Sequence, residues 1–129
     1  TAALHAPELL RLAPRCRWVA ADFKLPSATG LPDVLERHEA VLASGVLDRS
    51  ETFFKLIADG ETTPDELERV AGLLARFAPR RPVFLQPVTP MGGSPALSRE
   101  SLDPLVDALA RRGLDVRVVP QVHKLLRVR

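Results

Sequence analysis

Pro82-Val83-Phe84-Leu85-Gln86-Pro87-Val88-Thr89-Pro90-Met91-Gly92-Gly93 is an apolar run that stops in a Pro/Gly loop. It leaves one uncharged polar side chain, Gln86, near its end. Two other runs close in the same way: Asp22-Phe23-Lys24-Leu25-Pro26-Ser27 and Pro120-Gln121-Val122-His123-Lys124. In a parallel α/β sheet the C-terminal strand ends share one edge, and ligands bind along it. Three such ends carrying Asp, Lys, Ser, Gln and His therefore describe part of a site.

Working outward from residues 82–88, the pattern alternates helix and strand. Residues 5–13 carry Leu9, Leu10 and Leu12 on a short helical repeat that Pro14 ends. Residues 17–24 predict the first strand. Residues 31–44 place Leu31, Val34, Leu35, His38, Val41 and Leu42 on one helical face, and Gly45 supplies a C-terminal stop. The β-branched and aromatic run 52–58 predicts the second strand. In Thr62-Thr63-Pro64-Asp65-Glu66, Thr63 suits the N-cap, Pro64 the first helical position and Glu66 the return bond of a capping box. The helix it opens carries Leu67, Val70, Ala71, Leu74 and Phe77 inward. A last helix starts near Ser98 or Ser101 with Leu102, Leu105, Val106 and Leu109 inward, and Gly113 caps it. Residues 115–119 predict the fourth strand, and the basic tail 124–129 is expected to be loosely ordered. The alternation predicts an α/β chain with a parallel sheet of about four βα units. The nearly continuous apolar character of the strands predicts a sheet covered on both faces.

Composition narrows the function classes. The chain has 129 residues, 46% of them apolar, and a net charge of +2, which suits one soluble α/β domain spanning residues 1–129. That charge is too small, and the arginines too scattered, to argue for nucleic acid. No apolar run approaches the roughly 20 residues of a membrane helix, and no signal peptide is evident, so a cytoplasmic setting is expected. The single cysteine, Cys16, excludes an internal disulfide framework and a thiolate-cluster metal site within this chain.

Each candidate residue has two readings. Asp22 and Lys24, two apart at a strand end, share a face: they line a cavity or form a solvated ion pair. Ser27 is a turn residue or a ligand contact. Gln86, in an apolar strand, must find partners in a ligand or in a neighbouring loop. His123 is a satisfied structural histidine or faces the site. His38, on an apolar helix face, reads as structural, and Cys16 as packing. No nucleophile–base pair, phosphate loop or dinucleotide fingerprint is present.

Taken in order, Asp22-Phe23-Lys24-Leu25-Pro26-Ser27, Leu85-Gln86-Pro87-Val88-Thr89-Pro90 and Val116-Arg117-Val118-Val119-Pro120-Gln121-Val122-His123-Lys124 resemble the second half of 7-carboxy-7-deazaguanine synthases. These are radical S-adenosylmethionine lyases of queuosine biosynthesis, and the resemblance runs from about Trp18 to Lys124. It implies half of a partial (β/α) barrel of the radical S-adenosylmethionine type. In the intact enzyme a 4Fe-4S cluster cleaves S-adenosylmethionine, and the adenosyl radical abstracts hydrogen from 6-carboxy-5,6,7,8-tetrahydropterin. A Mg-assisted ring contraction then gives 7-carboxy-7-deazaguanine. By position, Asp22, Lys24 and Ser27 would lie near S-adenosylmethionine, while Gln86 and His123 would face the cofactor or pterin. A reductant for the cluster is a further implied partner.

The resemblance is incomplete. The C-x3-C-x2-C cluster motif of those enzymes is absent here, and Cys16 cannot replace three thiolates. Opening on Thr1, the chain is expected to be the C-terminal part of a longer enzyme, inert by itself. Loss of preceding strands would open an edge on the strand at residues 18–24. That edge is expected to be covered by the N-terminal helix or by a second copy in a homodimer. Two other functions compete: a glycyl-radical activase, against which the Q-x-H-K element argues, and a free-standing non-catalytic ligand-binding domain.

Overall fold

The computed structural model describes residues 1–88 and 97–121. Four strands form one parallel sheet in the order β1 (Trp18–Phe23), β2 (Glu51–Ala58), β3 (Val83–Pro87) and β4 (Val116–Val118). Helices α1 (Ala6–Leu12), α2 (Pro26–Thr29), α3 (Leu35–Ala43), α4 (Pro64–Phe77) and α5 (Arg99–Ala110) alternate with them. This is the α/β alternation expected from the sequence.

Because strands follow one another in chain order, crossovers of one hand put the helices on one side. The strand side chains accordingly split by period two. Val19, Ala21, Phe23, Phe54, Leu56, Val83 and Leu85 are buried and join Leu67, Val70, Leu74, Leu105 and Leu109 in one core. On the opposite side chains at Trp18, Asp22, Phe53, Lys55, Phe84 and Gln86 are only half-buried or exposed. Among the described residues, the coverage of both faces expected from the apolar strands is not found: the helices lie on one face only. The second face relies on its own aromatic and long side chains for cover.

Local chemistry sets the boundaries. The capping box forms: the Glu66 amide donates to Thr63 Oγ1 at 3.3 Å, and Glu66 Oε2 accepts from the Thr63 amide at 3.1 Å. At α5, Ser98 Oγ accepts from the Ser101 amide. Gly45 follows α3 with φ +65°, in the left-handed region that favours glycine. Helix α3 starts at Leu35 rather than Leu31, and Leu31 is exposed. A residue before proline is disfavoured from helical geometry, and Asp33 Oδ1 takes the Leu35 amide at 2.9 Å.

The free edge of β1 meets the N-terminal segment rather than helix α1. The Thr1 nitrogen donates to the Ala20 carbonyl at 3.0 Å, and the Asp22 amide donates to the Thr1 carbonyl at 2.7 Å. Cys16 is exposed, which corrects its reading as a packed side chain: it sits between Arg15 and Arg17, and the inward period begins only at Val19.

Candidate functional site

The uncovered face of the sheet is a cleft of about 820 Å³, lined among others by Trp18, Phe53, Lys55, Phe84, Gln86 and Arg117. Strand register arranges it in rows. Asp22, Lys55, Phe84 and Arg117 are neighbours across β1, β2, β3 and β4. In the next row towards the C-terminal edge, Gln86 pairs with Ile57. Lys24 lies one residue beyond β1, so the same register sets it two strand spacings from Gln86, about 10 Å.

Asp22 is the centre of a charged trio. Its carboxylate lies 3.3 Å from Lys55 Nζ and 3.9 Å from Lys24 Nζ. The three side chains keep 20% (Asp22), 26% (Lys24) and 30% (Lys55) of their exposure, so solvent screens them only in part. The floor beside them is aromatic. Phe53 and Phe84 meet edge to face with centroids 5.2 Å apart, and the Arg117 guanidinium lies 5.8 Å from the Phe84 centroid. Arg117 is itself held by Asp115 at 2.7 Å, which lowers the Asp115 pKa and raises that of Arg117.

Behind this face, His38 supports the Lys24 end. Its ring is buried and stacks on Phe23 at 4.1 Å, and Nε2 accepts from the Lys24 amide at 3.3 Å. An accepting Nε2 puts the ring proton on Nδ1, which makes no hydrogen bond of good geometry among the described residues and has only a weak interaction with the Ala3 backbone. Burial lowers the His38 pKa to about 4, and the nearby Ala3 backbone offsets only part of that shift. The structural reading of His38 holds.

Ser27 is placed differently from Asp22 and Lys24. Its amide donates to Glu66 Oε1 at 3.1 Å, and its hydroxyl lies 3.0 Å from Thr62 Oγ1. Thr62 already gives its proton to Asp59 Oδ1, so Ser27 is the donor in that contact and keeps its lone pairs. Glu66 thus ties the Pro26–Thr29 turn to the start of α4 through the same carboxylate that closes the capping box. Gln86 donates from Nε2 to the Pro120 carbonyl at 3.4 Å, a long bond across to the loop after β4. His123, with residues 89–96, lies outside the described residues.

The sequence pattern alone did not single out Lys55, Phe53, Phe84 or Arg117. The signal was available for the first two. In Thr52-Phe53-Phe54-Lys55-Leu56-Ile57 a lysine two places from an aromatic residue must share its face. No group of three or more His, Cys, Asp or Glu residues suited to a metal ion occurs among the described residues.

No family model matches the chain, and no solved structure matches it. A curated protein does. The chain is similar to a 7-carboxy-7-deazaguanine synthase. That relative, from Geobacter sulfurreducens, is 27% identical over 108 residues. The match covers 84% of this chain and 42% of the synthase, so the chain spans less than half the length of that relative. The similarity agrees with the likeness carried by the three strand-end segments. Among the described residues no helix is long and apolar enough to cross a membrane.

Proposed function

We propose that this chain is the C-terminal, ligand-facing part of a radical S-adenosylmethionine enzyme that converts 6-carboxy-5,6,7,8-tetrahydropterin to 7-carboxy-7-deazaguanine in the cytoplasm. One observation carries the proposal beyond similarity. By strand register Asp22 and Gln86 belong to the sheet face that carries Phe53 and Phe84, and Lys24 Nζ lies 3.9 Å from Asp22, in a chain matching less than half of such a synthase.

The face fits both small molecules chemically. Asp22 suits an ammonium and Lys24 a carboxylate, the two groups at the amino-acid end of S-adenosylmethionine. When bound, S-adenosylmethionine would supply the hydrogen-abstracting adenosyl group. Ser27 contributes lone pairs from a turn fixed by Glu66 and Thr62. Phe53 and Phe84 offer a surface for a flat heterocycle, with Gln86 and His123 as proposed polar contacts to it. The 4Fe-4S cluster does not fit this chain, whose one cysteine lies ahead of β1, at the opposite end of that strand from Lys24. Its ligands, and those for Mg, belong elsewhere in the full gene product.

Two steps test the proposal. The coding region upstream should contain a C-x3-C-x2-C segment in frame. The reconstituted full gene product, assayed anaerobically with carboxytetrahydropterin, S-adenosylmethionine and a reductant, should release 7-carboxy-7-deazaguanine. A cluster-loaded protein that cleaves S-adenosylmethionine but never forms the deazaguanine would refute the substrate.

A further inference from the structure

The arginines scattered along the sequence are gathered by the parallel fold. Arg15 and Arg17 precede β1, Arg49 precedes β2, and Arg80 and Arg81 precede β3, so all five stand at the N-terminal edge of the sheet. Lys24 lies at the other edge, about 20 Å from Trp18 along β1. Arg15, Arg17, Arg49 and Arg81 line one cavity of about 510 Å³, a size that suits a small ligand rather than a lone ion. Its base is built from the strand lead-ins. Ser50 is buried, its hydroxyl donates to the Ala13 carbonyl at 2.7 Å, and its carbonyl accepts from Arg81 Nη1 at 3.0 Å. Beside it the Glu51 amide donates to the Arg17 carbonyl at 2.9 Å.

Charge is not balanced there. The carboxylates of the cavity are Asp48 and Glu51, and Glu51 pairs with Arg17 at 3.6 Å. No carboxylate among the described residues forms an ion pair with Arg15, Arg49, Arg80 or Arg81. Like charges held together without counter-ions oppose folding, and a bound anion would relieve them. Arg81 and Glu51 also line the sheet-face cleft, whose near end carries Trp18 and Arg80. Trp18 is 59% exposed, with the Arg17 guanidinium 5.8 Å from its ring centroid. An exposed indole beside a guanidinium-lined cavity matches a flat base joined to phosphates. The arginines ring a bounded cavity rather than forming a stripe, which favours a free nucleotide over a strand of nucleic acid.

We propose that the N-terminal edge of the sheet is a second binding site, for a nucleoside polyphosphate. Arg15, Arg49 and Arg81 take the phosphates, and Trp18 carries the base. Arg81, held by Ser50 and shared by both cavities, joins the two halves of the site. The site stands apart from the function proposed above and does not depend on it.

Equilibrium binding to the full gene product tests it with ATP, inorganic tripolyphosphate and a single-stranded oligonucleotide as probes, each with and without saturating S-adenosylmethionine. ATP should bind most tightly, and S-adenosylmethionine should leave its affinity unchanged. Arg81→Ala should weaken ATP and tripolyphosphate alike by about tenfold or more, as expected for loss of a charge-assisted contact. If Arg81→Ala melts too early to test, because Ser50 loses its partner, the exposed Arg49→Ala should show the same loss. Trp18→Ala should weaken ATP by about tenfold and leave tripolyphosphate unchanged, and Trp18→Phe should restore most of that loss. A wild type that binds neither ATP nor tripolyphosphate overturns the site, as does ATP binding that both arginine variants leave intact. Competition between ATP and S-adenosylmethionine overturns it by placing the nucleotide at the other edge. An oligonucleotide that binds more tightly than ATP, with the same arginine dependence, overturns it in favour of a nucleic-acid surface.

Discussion

Protonation of His38 should destabilise the fold, and the structure gives the size of the effect. The ring is 1% exposed, stacked on Phe23, and accepts the Lys24 amide at Nε2. Adding a proton there would set donor against donor inside the core. Burial moves the pKa from 6.5 down to about 4. Between those values the unfolded chain binds the proton and the folded chain does not, so stability falls as pH falls through the window. Above pH 6.5 both states are neutral; below about 4 both are protonated and the loss is complete. The full difference is about 3 kcal/mol, of which about 2 kcal/mol has developed by pH 5. Urea unfolding at pH 7.5 and pH 5 should show that loss in the wild type and not in His38→Phe. The variant itself will be weaker at both pH values, because the Lys24 amide loses its acceptor. A wild type whose pH 7.5 to pH 5 change equals that of His38→Phe would refute the assignment of the effect to this ring.

Other outcomes follow from the same contacts. Glu66→Ala should cost about 1–2 kcal/mol, since it removes one side of the capping box and the acceptor of the Ser27 amide; amide exchange at Ser27 should speed up with it. Leu74→Ala, at a side chain with no exposure in the α4 core, should cost about 2–5 kcal/mol in urea unfolding, and a change under 1 kcal/mol would contradict the packing. Cys16 should react with a thiol reagent in the native state at nearly the rate of the unfolded chain, because it is exposed. Protection of that thiol would show the segment before β1 to be covered.

The fold was legible because its signals are local. Pro82 with Phe84 and Leu85, the Thr63-Pro64-Glu66 capping box and Gly45 each act within a few residues of themselves. The site was legible only in part. Asp22, Lys24 and Gln86 could be named from strand ends, but sharing a face with Lys55 depends on the register between β1 and β2, a non-local fact. Ser27 illustrates the limit: nothing adjacent in sequence announces that Thr62 and Glu66, more than thirty residues on, take its hydroxyl and amide. The apolar strands also misled. Phe53, Phe84 and Trp18 suggested a second covered face, whereas they line the open one.

The account stands most directly on where small molecules touch the sheet. Hydrogen–deuterium exchange on the full gene product, with and without S-adenosylmethionine and pterin-6-carboxylate, measures that. Added protection is expected at residues 22–27, 55–58 and 86–88, with none around Cys16 before β1. Protection confined to the helix-covered side, or to the segment before β1, would contradict it.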